Sequence, residues 1–319
     1  MTNSGLILMT SPIERARLGR YDRDGGTRVV PELPEVETMV RGLRPAMEGG
    51  RIVRLEPLDA SMLVGGAIND FARRAEGATI ESVGRRGKWV VLALSTGFIV
   101  IQPRMTGGFW LTEPERPEHI RLRFHLEQPR AMVWYCDARR LGKIAWHDDR
   151  ESAQTAFARS HGPDALEITR GELARALART NRGIKPTLMD QKVTAGIGNI
   201  YADEILHASR IHPERSSATL SRGEIERIHM AMGTILARAI ELEGSTFDAG
   251  YRTVLGLEGG FLAQNAVYGR ANLPCPSCAR PIQKTKIAGL MARPTYYCPG
   301  CQRARSPGAT SSARGCRRP

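Results

Sequence analysis

Apolar positions along this chain change period as they go. From Pro34 to about Met47 they recur at helical spacing, with Val36, Met39, Val40 and Leu43 on one face. Pro34 falls in the first turn, Glu35 and Glu37 lie near the positive end, and Gly49-Gly50 supplies the stop, so a short helix is predicted. The stretch that follows reads mainly as strands. Ile120, Leu122, Phe124 and Leu126 alternate with Arg121, Arg123 and His125, which predicts a half-buried strand with a basic outer face. Lys88 to Leu94, Phe98 to Gln102 and Ala131 to Cys136 are similar apolar runs bounded by Gly, Pro or charge, and together they predict an antiparallel sandwich. After about His147 the pattern becomes helical. Ser221 with Glu224 forms a capping box, followed at helical spacing by Ile225, Ile228, Met232, Ile235, Leu236 and Ala239.

These changes of period divide an α+β chain. Residues 1–30 have no period that could pack and read as a disordered extension; residues 31–150 read as a helix plus β-sandwich, 151–265 as a helical region, 266–305 as a small cysteine-bearing unit and 306–319 as a disordered basic tail. Gly162-Pro163 ends the linker between the two larger regions, and Gly196-Ile197-Gly198-Asn199 makes a turn between two helices. Gly244, Gly250, Gly256, Gly259 and Gly260 predict a long mobile loop over residues 244–262 rather than packed structure.

Charge narrows the partner. An excess of 46 Lys+Arg over 33 Asp+Glu gives a net charge of +13, which favours a polyanion and fits nucleic-acid binding. No apolar run reaches the roughly 20 residues that span a bilayer. Gly5-Leu6-Ile7-Leu8-Met9 is too short for a secretory core, so a cytoplasmic protein is expected. In that compartment six cysteines point away from disulfides. Cys275-x2-Cys278 and Cys298-x2-Cys301, nineteen residues apart, suit one tetrahedral zinc held by a hairpin. Four thiolates leave no open position on the metal, so the site is expected to be structural.

Pro31-Glu32 sets a candidate amine beside a carboxyl group, the pairing that imine chemistry needs, although taken alone it also fits an ordinary helix start. The wider set of motifs decides between these readings. Pro31-Glu-Leu-Pro-Glu-Val-Glu-Thr38, Arg85-Arg-Gly-Lys88, Met105-Thr-Gly107, Asp137-Ala-Arg-Arg-Leu-Gly142, Ile184-Lys-Pro-Thr-Leu-Met-Asp190, Gly196-Ile-Gly-Asn-Ile-Tyr-Ala202, Val267-Tyr-Gly-Arg270 and the four cysteines closely resemble the formamidopyrimidine-DNA glycosylase family.

The resemblance implies a helix-two-turn-helix in the helical region, a zinc-finger hairpin, and removal of oxidised purines from double-stranded DNA in base excision repair; one duplex and one active site make a monomer the simplest expectation. It implies a Pro31 amine that attacks C1′ of the damaged nucleotide, Glu32 as proton donor to the sugar ring oxygen, and Glu35 holding the helix start. Lys88 matches the lysine tied to lesion contact and β-elimination, and Arg293 the arginine tied to δ-elimination, so AP lyase activity is expected as well. Met105, Arg139 and Leu141 match residues that fill the void left by the flipped base; His119, Lys185 and Asn199 match DNA contacts, and Glu204 a carboxylate near the lesion pocket.

The chain departs from the family pattern in places. Leu141 stands where an aromatic wedge is usual, and Gln102-Pro103-Arg104 replaces the usual histidine followed by Leu-Gly. Three other readings are carried alongside: a catalytically silent DNA-binding protein, a relative acting on oxidised pyrimidines, and a zinc-ribbon RNA-binding protein. A proline nitrogen inside a chain is an amide and not a nucleophile. Val30 can be encoded by an alternative start codon, and the expectation is a mature product that begins at Pro31.

Overall fold

The computed structural model describes residues 30–65, 67–127, 129–246, 251–290 and 293–304. The expected basic tail, and the expected extension except for Val30, lie outside these residues.

Helix α1 (Leu33–Met47) buries Val36, Met39, Val40 and Leu43, the face its spacing predicts. Each such side chain is worth about 1.5–3 kcal/mol when fully buried. The strands that follow are β1 (Ile52–Pro57), β2 (Leu63–Val64), β3 (Ile80–Arg86), β4 (Trp89–Leu94), β5 (Gly97–Gln102), β6 (Gly107–Trp110), β7 (Ile120–Leu126), β8 (Met132–Asp137) and β9 (Lys143–His147); helix α2 (Ile68–Ala75) sits between β2 and β3. They form two sheets, in the orders β1-β7-β8-β6 and β2-β9-β5-β4-β3. All pairs are antiparallel except β2 with β9. Val90, Leu92, Ile99 and Ile101 from one sheet share a core with Leu122, Phe124, Val133 and Tyr135 from the other.

In β7 the alternation holds on the inner face, where Ile120, Leu122, Phe124 and Leu126 are buried. The outer face is not the solvated basic strip expected. Arg121 is buried, and its guanidinium donates to the carbonyls of Asp137 (2.9 Å) and Glu118 (2.8 Å), which ties the start of β7 to the end of β8.

The second half is helical: α3 (Arg150–Ser160), α4 (Arg170–Ala178), α5 (Ile184–Leu188), α6 (Asn199–Ser209) and α7 (Arg222–Glu241). Ser221 and Glu224 form the predicted capping box of α7, whose Ile225, Ile228, Met232, Leu236 and Ala239 are buried. Helix α1 packs on both β3 and α7, so it belongs to both halves. A short hairpin follows, β10 (Gln283–Thr285) with β11 (Thr295–Tyr297).

The glycine-rich segment 244–262 differs from its prediction. Residues 247–250 lie outside the description, but Tyr251, Val254 and Phe261 are buried in the cores. Leu111 N–H donates to the Val254 carbonyl (2.9 Å), and Val254 lies so close to α1 that a Cβ on Gly42 would meet it at 2.3 Å. Apolar side chains spaced among the glycines anchor a segment that glycine content alone marks as loose. Among the described residues no helix is long and apolar enough to cross a membrane.

Candidate active site

The site is built where the N-terminus of α6 meets the start of α1. The four first N–H groups of a helix lack partners within it, and they favour a carboxylate. Glu32 fills that place: its side chain accepts from Gly198 N–H (2.7 Å) and Ile200 N–H (2.9 Å). The approach requires glycine at 198, because a Cβ there would lie 2.3 Å from the Glu32 carboxyl carbon. Gly196, at φ +113°, lets its carbonyl accept from Leu33 N–H (3.0 Å). Gln191 fixes the same turn by accepting from Gly196 N–H (3.0 Å) and donating to Ile197 O (2.9 Å).

Pro31 and Glu32 are both buried. Burial pushes the Glu32 carboxyl above its usual range, against the opposing pull of Lys88 and the helix amides. Glu35 lies behind it, accepting from Glu32 N–H (2.9 Å), Tyr201 Oη–H (2.6 Å) and Ser245 N–H (2.8 Å). Burial and the charge of Glu32 push Glu35 up to about 7.

Lys88 lies in the β3–β4 turn, and its ammonium donates to the Ile197 carbonyl (3.0 Å) at the mouth of the same helix. Burial lowers its proton affinity, while Glu32 raises it and Arg293 lowers it further. A buried clamp positions that turn. Arg85 bonds Glu37 (3.0 Å) and, with two nitrogens, Asp164 (2.6 and 3.1 Å); Asp164 also accepts from Gly87 N–H (2.7 Å). Neither Asp164 nor Gln191 has a sequence signal of its own, since their partners are far along the chain or on the backbone.

Arg293 is exposed on the hairpin, and its positive charge is felt at Lys88. Its neighbour Pro294 explains why. The Pro294 carbonyl accepts from Asn199 (3.1 Å) and Lys185 (3.1 Å), which moors the hairpin to the start of α6. Lys185, matched in sequence to a phosphate contact, has its ammonium engaged inside the protein. It is fully buried, and its ammonium is committed to Asp203 (2.9 Å), Thr295 Oγ1 (3.0 Å) and Pro294. Glu204 is likewise structural here, accepting from the N–H groups of Ala266, Val267 and Tyr268 at 2.8–3.0 Å.

Met105, Arg139 and Leu141 occupy two neighbouring loops. The Arg139 guanidinium lies 3.3 Å from the Met105 sulfur, and Leu141 is exposed. Both loops hang from Asp137, a fully buried carboxylate that accepts from Thr106 Oγ1, Arg139 N–H (3.1 Å) and Gly142 N–H (2.7 Å). His119 is half-buried in the turn before β7, with Glu118 3.9 Å away.

The four hairpin cysteines bring their sulfurs within 4.8 Å of one another, close enough to hold a metal ion. Cys275 and Cys301 are 3.8 Å apart and Cys278 and Cys298 3.3 Å. A tetrahedral ion with bonds of about 2.3 Å spaces its sulfurs at about 3.8 Å, so the donor set fits one.

Comparison with known proteins agrees with this geometry. Residues 30–144 match the formamidopyrimidine-DNA glycosylase N-terminal domain, and residues 161–250 match the formamidopyrimidine-DNA glycosylase H2TH domain. The formamidopyrimidine-DNA glycosylase of Symbiobacterium thermophilum is 38% identical over 277 residues, covering 86% of this chain and 89% of the relative. The crystal structure of the MutM (Fpg) protein from Thermus thermophilus superposes with a TM-score of 0.75 at 37% identity, covering 85% of this chain and 98% of that one. A Lactococcus lactis Fpg mutant in complex with Fapy-dG-containing DNA gives a TM-score of 0.78 at 30% identity, covering 86% and 100%. With likeness of this extent in both sequence and fold, the chain belongs to the formamidopyrimidine-DNA glycosylase family.

Proposed function

We propose that this protein excises oxidised purines, 8-oxoguanine and formamidopyrimidines, from double-stranded DNA and then cleaves the resulting abasic site. The observation that carries the reading is Glu32: a buried carboxyl group next to Pro31, seated on the N-terminus of α6 and facing the ammonium of Lys88.

The nucleophile is the nitrogen of Pro31 as a free secondary amine, which titrates near ~8 and so has a neutral fraction at cytoplasmic pH. Its lone pair forms a bond to C1′ as the bond from C1′ to the base breaks, and the departing base takes up the proton that the amine loses. Glu32, whose proton affinity burial raises, donates to the ring oxygen as the sugar opens to an iminium. The iminium acidifies the neighbouring C2′–H. The Glu32 carboxylate left by the ring opening takes that proton as the 3′ phosphate leaves, and loss of the C4′ proton to solvent then expels the 5′ phosphate, with Lys88 and Arg293 at the phosphates. Met105, Arg139 and Leu141 fill the gap left by the extruded nucleotide, whose unstacking costs a few kcal/mol; leucine wedges by shape where it has no aromatic face. Asn199 and His119 take phosphate contacts beside the site.

The cysteine cluster is the site of a structural zinc. Bound there, the ion supplies folding energy to the hairpin that carries Arg293. The protein works in the cytoplasm.

Borohydride trapping tests the reaction. Protein whose first residue is Pro31 is expected to form a covalent complex with a duplex containing 8-oxoguanine opposite cytosine, and protein in which Val30 precedes Pro31 is not. No trapped species from the first form would refute the enzymatic reading and leave a DNA-binding protein without catalysis.

A further inference from the structure

Arg104 differs from the other cations around the site. Its φ is +56°, in the left-handed region where a Cβ crowds the backbone and glycine or asparagine is favoured. It lies in a tight turn closed by Gly107 N–H to Pro103 O (2.9 Å), directly before Met105. Its side chain is exposed, and among the described residues no carboxylate, carbonyl or aromatic ring engages the guanidinium. Two other arginines share this backbone conformation with local reasons for it: Arg140, at φ +54°, pairs with Asp59 (3.3 Å), and Arg210, at φ +58°, ends α6, where left-handed residues are common.

The charge of Arg104 also has a location. His161, stacked on Phe157 with ring centroids 4.4 Å apart, is held below its usual proton affinity by burial and then by the positive charges of Lys88 and Arg104. Ile101 of β5 pairs with Val90 of β4, so the turn that carries Arg104 leaves the sheet beside the turn that carries Lys88. An exposed, unpaired cation kept on a strained backbone at the edge of a nucleic-acid site is placed to take an anionic partner.

We propose that Arg104 is a phosphate-binding residue, gripping the backbone of the damaged DNA strand where it passes between Lys88 and the Met105 loop. The proposal rests on the glycosylase reading and adds a contact at a position where the family pattern has glycine.

The test compares Arg104→Gly, Arg104→Ala and Arg104→Lys in the full protein, by thermal melting and by affinity for a duplex containing a stable abasic-site analogue across a salt series. Glycine relieves the left-handed strain and alanine does not, so the Gly variant should melt about 2–4 °C above the Ala variant, the reverse of their usual order. Both should bind DNA about 3–10-fold more weakly at ~0.1 M salt, and the slope of log affinity against log salt should fall by about 1. Arg104→Lys should restore the slope. Wild-type affinity and slope in both the Gly and Ala variants would overturn the proposal while leaving the glycosylase reading intact. A wild-type protein with no salt-dependent binding to duplex would instead overturn that reading, and this proposal with it.

Discussion

Glu32 receives two amide hydrogen bonds and faces an ammonium, yet burial still holds its carboxyl above the ordinary range. That balance depends on how closely the α6 turn approaches. Gly198→Ala would place a methyl carbon 2.3 Å from the carboxyl carbon. The expected result is a loss of at least about 10²-fold in single-turnover base release, with abasic-site DNA affinity changed much less; a rate within about threefold of wild type would contradict the assignment of Glu32. Glu35 makes a pH prediction. It ionises near 4.5 in the unfolded chain and at about 7 when folded, so between these values the folded protein holds the extra proton. Its contribution to stability is complete below about 4.5 and is lost as pH rises to about 7. The melting temperature of wild type should fall across this window, and Glu35→Gln should flatten the fall. At this scale the motif made Pro31 and Glu32 legible in the sequence. The seat of Glu32 was not, because Gly198 lies 166 positions away and nothing local announces the contact.

Elements whose reasons are local were readable from the chain: the apolar face of α1, the inner alternation of β7 and the Ser221–Glu224 cap of α7. Long-range pairing overrode the reading of charged residues. Arg121 and Lys185 look like surface cations in sequence, and each is buried because a distant partner consumes its donors. Lys185→Ala is accordingly expected to cost about 3–5 kcal/mol, since it strands Asp203 unpaired in the interior. Because the Lys185 ammonium is committed within the protein, DNA affinity is expected to fall through loosening of the hairpin with the salt slope unchanged. A slope reduced by about 1 with unaltered melting would restore the direct phosphate contact. The clamp of Arg85, Glu37 and Asp164 joins a strand, a helix and the linker in one network. Asp164→Ala should lower both melting temperature and the rate of strand cleavage, since Lys88 rides on the turn that this network fixes.

Across the whole molecule, the net charge of +13 predicts duplex affinity that weakens steeply with salt, a sequence inference that burial of a few cations alters only in detail. Removing metal with a chelator should release the hairpin, lower DNA affinity and expose the cysteines to thiol reagents; chelated protein with unchanged affinity and unreactive thiols would remove the proposed role of zinc. Helix α1 packs on β3 and α7 alike, and the acid it carries is seated on a turn of the other half. Glu32 is thus a strong or weak acid according to whether the halves stay together, since parting them would hydrate it and return it to an ordinary carboxylate. A catalyst divided in this way cannot be exchanged by halves. A chimera that joins this β-sandwich to the helical half of a relative would keep every motif and still be inactive wherever the junction fails to bring Gly198 against Glu32, so the unit on which selection acts is the seam itself.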